Sequence, residues 1–134
     1  MNINDIKRIA CLGGGIIGSS WATAFVFNGY DVNIYFPLSD EIAECDQTIR
    51  NNLQTFAKYN VIAEDMVETL MKRVTYTTDL KSAVSDVQYI QENAPEDLDL
   101  KRELLRIVDL HSPAETIFAT SSSFLLISEI ARGS

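Results

Sequence analysis

The chain has 134 residues, 46% apolar and 22% charged, with 11 basic against 19 acidic side chains and a net charge of −8. That is enough for one domain with its own core, and the proportions are those of an ordinary globular protein. The acidity excludes the basic face that a nucleic acid or an anionic membrane surface requires. No apolar run approaches a membrane span, and "MNINDIKRIA" lacks the apolar region of a secretory signal.

Short β-type runs alternate with longer helical ones, which predicts a parallel sheet with helices on its faces. "KRIACL" (Lys7 to Leu12) is the first strand, and a helix follows from about Ile16 to Asn28, stopped by Gly29. "DVNIYF" (Asp31 to Phe36) is the second strand. A helix opens near Ser39 or Asp40, with Ile42, Ile49, Leu53 and Phe56 at roughly helical spacing. Another helix covers about Ala63 to Arg73, so a helical hairpin is inserted before the third strand, which starts at Val74. A short helix over Leu80 to Ser85 leads to the fourth strand, Val87 to Gln91. Asp97 or Asp99 caps a helix running to about His111. The fifth strand starts at Thr116, and "LLISEIA" is a short helical start. The fold class expected is therefore α/β: a doubly wound, mainly parallel sheet of the Rossmann type with that hairpin after strand two.

Cys11 and Cys45 lie far apart, in no metal-type spacing. The expectation is two reduced thiols, Cys11 in a core strand, no disulfide, no metal site and a cytoplasmic protein. His111 reads as a C-terminal helix residue, and Trp21 as a core residue packed on the sheet or a neighbouring helix.

"LGGGIIGSSW" carries the chemistry. Gly13, Gly15 and Gly18 stand in the G-x-G-x-x-G arrangement, directly after an apolar strand and opening a helix. Gly13 permits the turn, Gly15 lets a pyrophosphate approach the backbone, and Gly18 lets helix and strand pack closely. The positive end of the helix then faces the anion. Ligands of such sheets bind beyond the carboxyl ends of the strands. That edge collects Phe36 and Pro37, then Glu92, Asn93 and Ala94, then Ser121, Ser122 and Ser123. Glu92 is a carboxylate able to accept ribose hydroxyl protons.

The stretches "LGGGIIGSSWATAF", "VQYIQENAPEDLDLKRELL" and "TIFATSSSFLLISEI", in this order, resemble the N-terminal domain of the 3-hydroxyacyl-CoA dehydrogenase superfamily, nearest the branch with L-gulonate and carnitine 3-dehydrogenases. The resemblance covers almost the whole chain. It implies hydride transfer between NAD and the secondary alcohol of a 3-hydroxy acid or its CoA thioester. It matches Glu92 to a glutamate contacting the nicotinamide-side ribose, and Ser123 to a serine bonding the reacting oxygen. Gly13, Ile16, Ile17, Gly15 and Gly18 match the pyrophosphate loop. It also implies a catalytic histidine beyond the "SSS" strand and a helical second domain that makes the usual homodimer. On that reading residues 1–134 are a truncated dinucleotide-binding domain, able to bind cofactor and unable to turn over.

One departure stands out. The family acid that holds the adenosine ribose is Phe36 here. A carboxylate there makes charge-assisted bonds of roughly 1.5–3 kcal/mol, so Phe36→Asp is expected to tighten NADH binding if Phe36 is simply a missing acid. Phe36 reads either as an aromatic stacking on the adenine or as a core or rim residue. NADP is less expected than NAD, because its 2′-phosphate wants Arg or Lys and "FPLSDEIAE" offers acids alone. The acidic hairpin disfavours a polyanionic CoA and leans towards a smaller hydroxy acid. The alternative reading is a non-enzymatic nucleotide-sensing module of the kind attached to potassium transporters.

Overall fold

A computed structural model describes residues 3–93 and 97–120. Five parallel strands form one sheet in the order β3-β2-β1-β4-β5. They are β1 (Arg8–Leu12), β2 (Asp31–Tyr35), β3 (Val74–Thr77), β4 (Tyr89–Glu92) and β5 (Ile117–Thr120). The central β1 pairs Leu12 with Tyr35 on one side and with Glu92 on the other. The order reverses at β1, which makes the carboxyl edge there the expected ligand crevice.

Among the described residues, five α-helices cover the sheet: α1 (Gly15–Phe27), α2 (Ile42–Lys58), α3 (Met66–Met71), α4 (Leu80–Val84) and α5 (Leu98–His111). Alternation along the strands sends neighbouring side chains to opposite faces. Cys11, Val32, Ile34 and Phe36 join Ala22, Val26, Ile49 and Leu53 under α1 to α3. Ala10, Leu12 and Ile90 join Val84, Leu104 and Val108 under α4 and α5, with Tyr35 packed alongside. The doubly wound fold expected from the sequence is the fold observed.

Several boundaries moved. α3 begins at Met66 rather than Ala63, the preceding segment being turn. β4 begins at Tyr89 and extends to Glu92, so Glu92 ends the strand instead of following it. Helical structure does start at Ser39, as a 3-10 turn over Ser39–Glu41. Asp97 caps α5 by accepting a hydrogen bond from the Leu100 N–H at 3.1 Å, and His111 ends the helix, both as expected. Cys11 and Cys45 are free and buried. Trp21 is a correction: it is 40% exposed on α1, stacked on Phe25 at 5.6 Å between ring centroids. The buried face of the helix is formed by Gly18, Ser19, Ala22, Thr23 and Val26, which leaves the indole outside it. No helix among the described residues is long and apolar enough to cross a membrane.

Candidate dinucleotide cleft

The glycine loop joins β1 to α1. The Gly13 N–H donates to the Tyr35 carbonyl at 3.0 Å, tying the loop to the end of β2. Gly15 holds a positive φ of 68°, and a Cβ there would meet nothing within 4 Å, so the space above it is open. Gly18 is tightly enclosed: an added Cβ would lie 2.3 Å from the Gly13 carbonyl oxygen. The N-cap of α1 is Gly14, which supplies no side-chain cap. The first-turn N–H groups of a helix have no partner within it, so they face the open space as an anion cradle. Ile16 and Ile17 stand beside them, 83% and 60% exposed.

A cavity of about 490 Å³ opens beside this loop. Its walls are Gly13 to Gly15 and Leu12 below, Pro37 and Leu38 after β2, and Leu100 and Leu104 on α5. Asp40 and Glu41 complete the rim. An open glycine turn, an uncapped helix end and an apolar groove fit a dinucleotide, whose pyrophosphate needs N–H donors and whose adenine needs a flat apolar slot.

Phe36 does not line this cleft. Its ring is 0% exposed, in the cluster with Cys45, Ile49 and Leu53. It lies so close beneath the loop that a Cβ on Gly14 would fall 2.4 Å from its Cε1. Of the readings open at this position, core aromatic is the one observed, and stacking on a ligand is excluded by the burial. The signal was present in the sequence: Val32, Ile34 and Phe36 share a period of two, so all three point to the α1 and α2 side.

Glu92 reaches the predicted edge with its side chain 1% exposed. Lys101 Nζ, itself on a residue 2% exposed, donates to both carboxylate oxygens, at 2.8 and 3.0 Å. The Thr120 hydroxyl donates to the same carboxylate from the end of β5. A ribose bond to Glu92 therefore requires one of these bonds to be exchanged. Sequence reading missed Lys101. Its spacing with Leu104 and Val108 marks the buried face of α5, and a Lys there needs a buried acid. Gly14 and the cleft-side leucines of α5 were missed as well.

His111, at the far end of α5, leads directly into β5, so it lies at the amino edge of the sheet, away from the cleft. Burial pushes the Cys11 thiol well above its ordinary range. Burial also raises Cys45; the hydrogen bond with Ser19 works against that rise, while Asp46, Glu41 and Glu44 add to it. No group of three or more His, Cys, Asp or Glu placed to hold a metal occurs among the described residues. Ser121, Ser122, Ser123, Ala94 and the "LLISEIA" segment lie outside the described residues.

Comparison with known proteins agrees with the fold. The chain is 40% identical over 119 residues to an L-carnitine dehydrogenase of Streptomyces griseus, covering 89% of this chain and 34% of that one. It is 36% identical over 126 residues to an L-carnitine dehydrogenase of Bacillus cereus, covering 93% and 37%. The chain thus spans about a third of the length of these relatives. A solved diketoreductase superposes with a TM-score of 0.85 at 31% identity, over 96% of this chain and 46% of that one. The profile of the family described as "3-hydroxyacyl-CoA dehydrogenase, NAD binding domain" matches residues 8–134, and the chain belongs to that family.

Proposed function

We propose that the chain holds NAD for a dehydrogenase acting on the secondary alcohol of a small 3-hydroxy acid. The observation that carries this is the open cavity between the uncapped start of α1 and the apolar face of α5. The N–H groups of Gly15, Ile16 and Ile17 would hold the pyrophosphate, and Leu38 and Leu104 would flank the adenine. Glu92, at the end of β4, would hold the nicotinamide-side ribose by exchanging its Thr120 bond for a ribose hydroxyl. Ser123 would bond the reacting oxygen, as the family resemblance implies. NAD, when bound, supplies the hydride acceptor; the chain's own part is to bind and orient it.

Oxidising an alcohol also needs a group to take the hydroxyl proton. The single histidine of the sequence, His111, is at the wrong edge for that. The chain is therefore expected to bind NADH without turnover, the base coming from elsewhere in a longer, homodimeric protein. The carnitine dehydrogenases among the relatives support a small substrate. So does the hairpin, where Arg50 is already taken by Asp46 and Glu68, leaving an acidic surface that repels CoA phosphates. Two buried free thiols support a reducing compartment such as the cytoplasm.

Fluorescence titration with NADH tests the cofactor reading. Saturable binding together with no reduction of NAD in the presence of L-carnitine is the expected result. No binding of NADH sinks the proposal, and preference for ATP or AMP over every nicotinamide cofactor turns it into a nucleotide sensor.

A further inference from the structure

We infer that Asp40 takes the place of the missing acid at strand two, binds the adenosine ribose, and sets the preference for NAD over NADP. This rests on the cofactor reading above and adds to it a residue that chooses between the two cofactors. With Phe36 sealed in the core, position 36 offers nothing to the cleft. The backbone passes instead through Pro37 and Leu38, both at the cleft wall, into the 3-10 turn of Ser39–Glu41. That turn delivers two exposed carboxylates to the rim, Asp40 and Glu41. The described lining contains these two charges and no Lys, Arg or His. Asp40 also lies about 20 residues beyond the last glycine, the distance at which dinucleotide folds place their ribose acid.

Between the two, Asp40 is favoured. Glu41 is shared with a second depression, formed with Gly15, Ser19, Glu44 and Cys45 on the α2 side of the loop, and it acts on the Cys45 thiol there. Asp40 borders the main cleft and not the second depression. A carboxylate at this rim accepts the ribose 2′- and 3′-hydroxyls as charge-assisted bonds. The same charge repels a 2′-phosphate, which finds no cation among the described lining residues.

The test is a fluorescence titration of NADH and NADPH against the chain and its Asp40→Ala, Asp40→Arg and Glu41→Ala variants, with thermal melts as a folding control. The unsubstituted chain is expected to bind NADH at least tenfold more tightly than NADPH. Asp40→Ala is expected to weaken NADH about tenfold to a hundredfold with its melt nearly unchanged. Asp40→Arg is expected to reverse the preference towards NADPH, which a merely structural role would not do. Glu41→Ala is expected to weaken NADH by less than Asp40→Ala does. Unchanged NADH affinity in both Asp40 variants overturns the inference while leaving the cofactor reading intact. A loss confined to Glu41→Ala reassigns the ribose to Glu41 and overturns it equally. Failure of the unsubstituted chain to bind either cofactor overturns both.

Discussion

Phe36 and Gly14 are one structural feature seen from two sides. The ring fills the core directly beneath the loop, and the loop can settle onto it because position 14 has no Cβ. A methyl at position 14 would lie 2.4 Å from the ring, so Gly14→Ala is expected to destabilise by about 1–3 kcal/mol through overpacking. Phe36→Leu should relieve part of that clash, and a double-mutant cycle by urea denaturation should show a coupling of at least about 0.5 kcal/mol. Additive effects would mean that ring and loop do not touch. Phe36→Asp now carries the opposite expectation from the one its sequence position suggested. It places a carboxylate among Val32, Ile34 and Ile49, and should cost at least about 3–5 kcal/mol or prevent folding. A folded Phe36→Asp variant with tighter NADH binding would restore the missing-acid reading.

At the scale of elements, a buried ion pair ties β4 to α5. Glu92 and Lys101 bring opposite charges into a nearly dry site, and each is tolerable because of the other. Glu92→Gln leaves the ammonium buried without its charge partner, and a loss of about 3–5 kcal/mol is expected in denaturant unfolding. A loss under about 1 kcal/mol would show the pair to be solvated. The cap of α5 is a smaller effect: Asp97→Ala removes the acceptor for the Leu100 N–H and should cost about 1 kcal/mol. The hairpin pairs around Arg50 are on the surface, and neutralising them should matter little to stability.

The pH response belongs to the whole molecule. Cys11 is buried between sheet and helices, and its thiol is pushed far above the ordinary value of 9.0, first by burial and then by Cys45. Below about pH 9 both folded and unfolded chains keep that proton. Above it the unfolded chain releases it and the folded chain does not, so stability falls as pH rises. The slope reaches about 1.4 kcal/mol per pH unit for this one group. Cys45 and Tyr76, also raised mainly by burial, act in the same direction. Urea midpoints at about pH 8 and pH 10 should show the drop, and an unchanged midpoint would mean that the thiols are open to solvent. Alkylation of either cysteine should proceed only as fast as the fold opens, since the reactive species is the thiolate.

The alternation of strands and helices, the parallel sheet and the glycine loop were legible along the chain because they depend on local periodicity and on residues adjacent in sequence. The cap of α5 was legible for the same reason, as one of Asp97 and Asp99, and Asp97 is the one that caps. Local pattern could not say which residues meet across the sheet. Whether Phe36 faced the ligand or the core depended on what lay beneath the glycine loop, and that is α2, joined through Cys45 and Ile49. Glu92 read as an open acid until α5 laid Lys101 against it. Trp21 read as core until Ala22, Thr23 and Val26 proved to form the buried face of α1. The sequence by itself determined the elements and the loop, since hydrophobic period and glycine sterics act over a few residues. Only the tertiary structure decided which charge is paired, which aromatic is buried and which acids border the cleft. Those outcomes are set by desolvation and packing between segments remote in the chain.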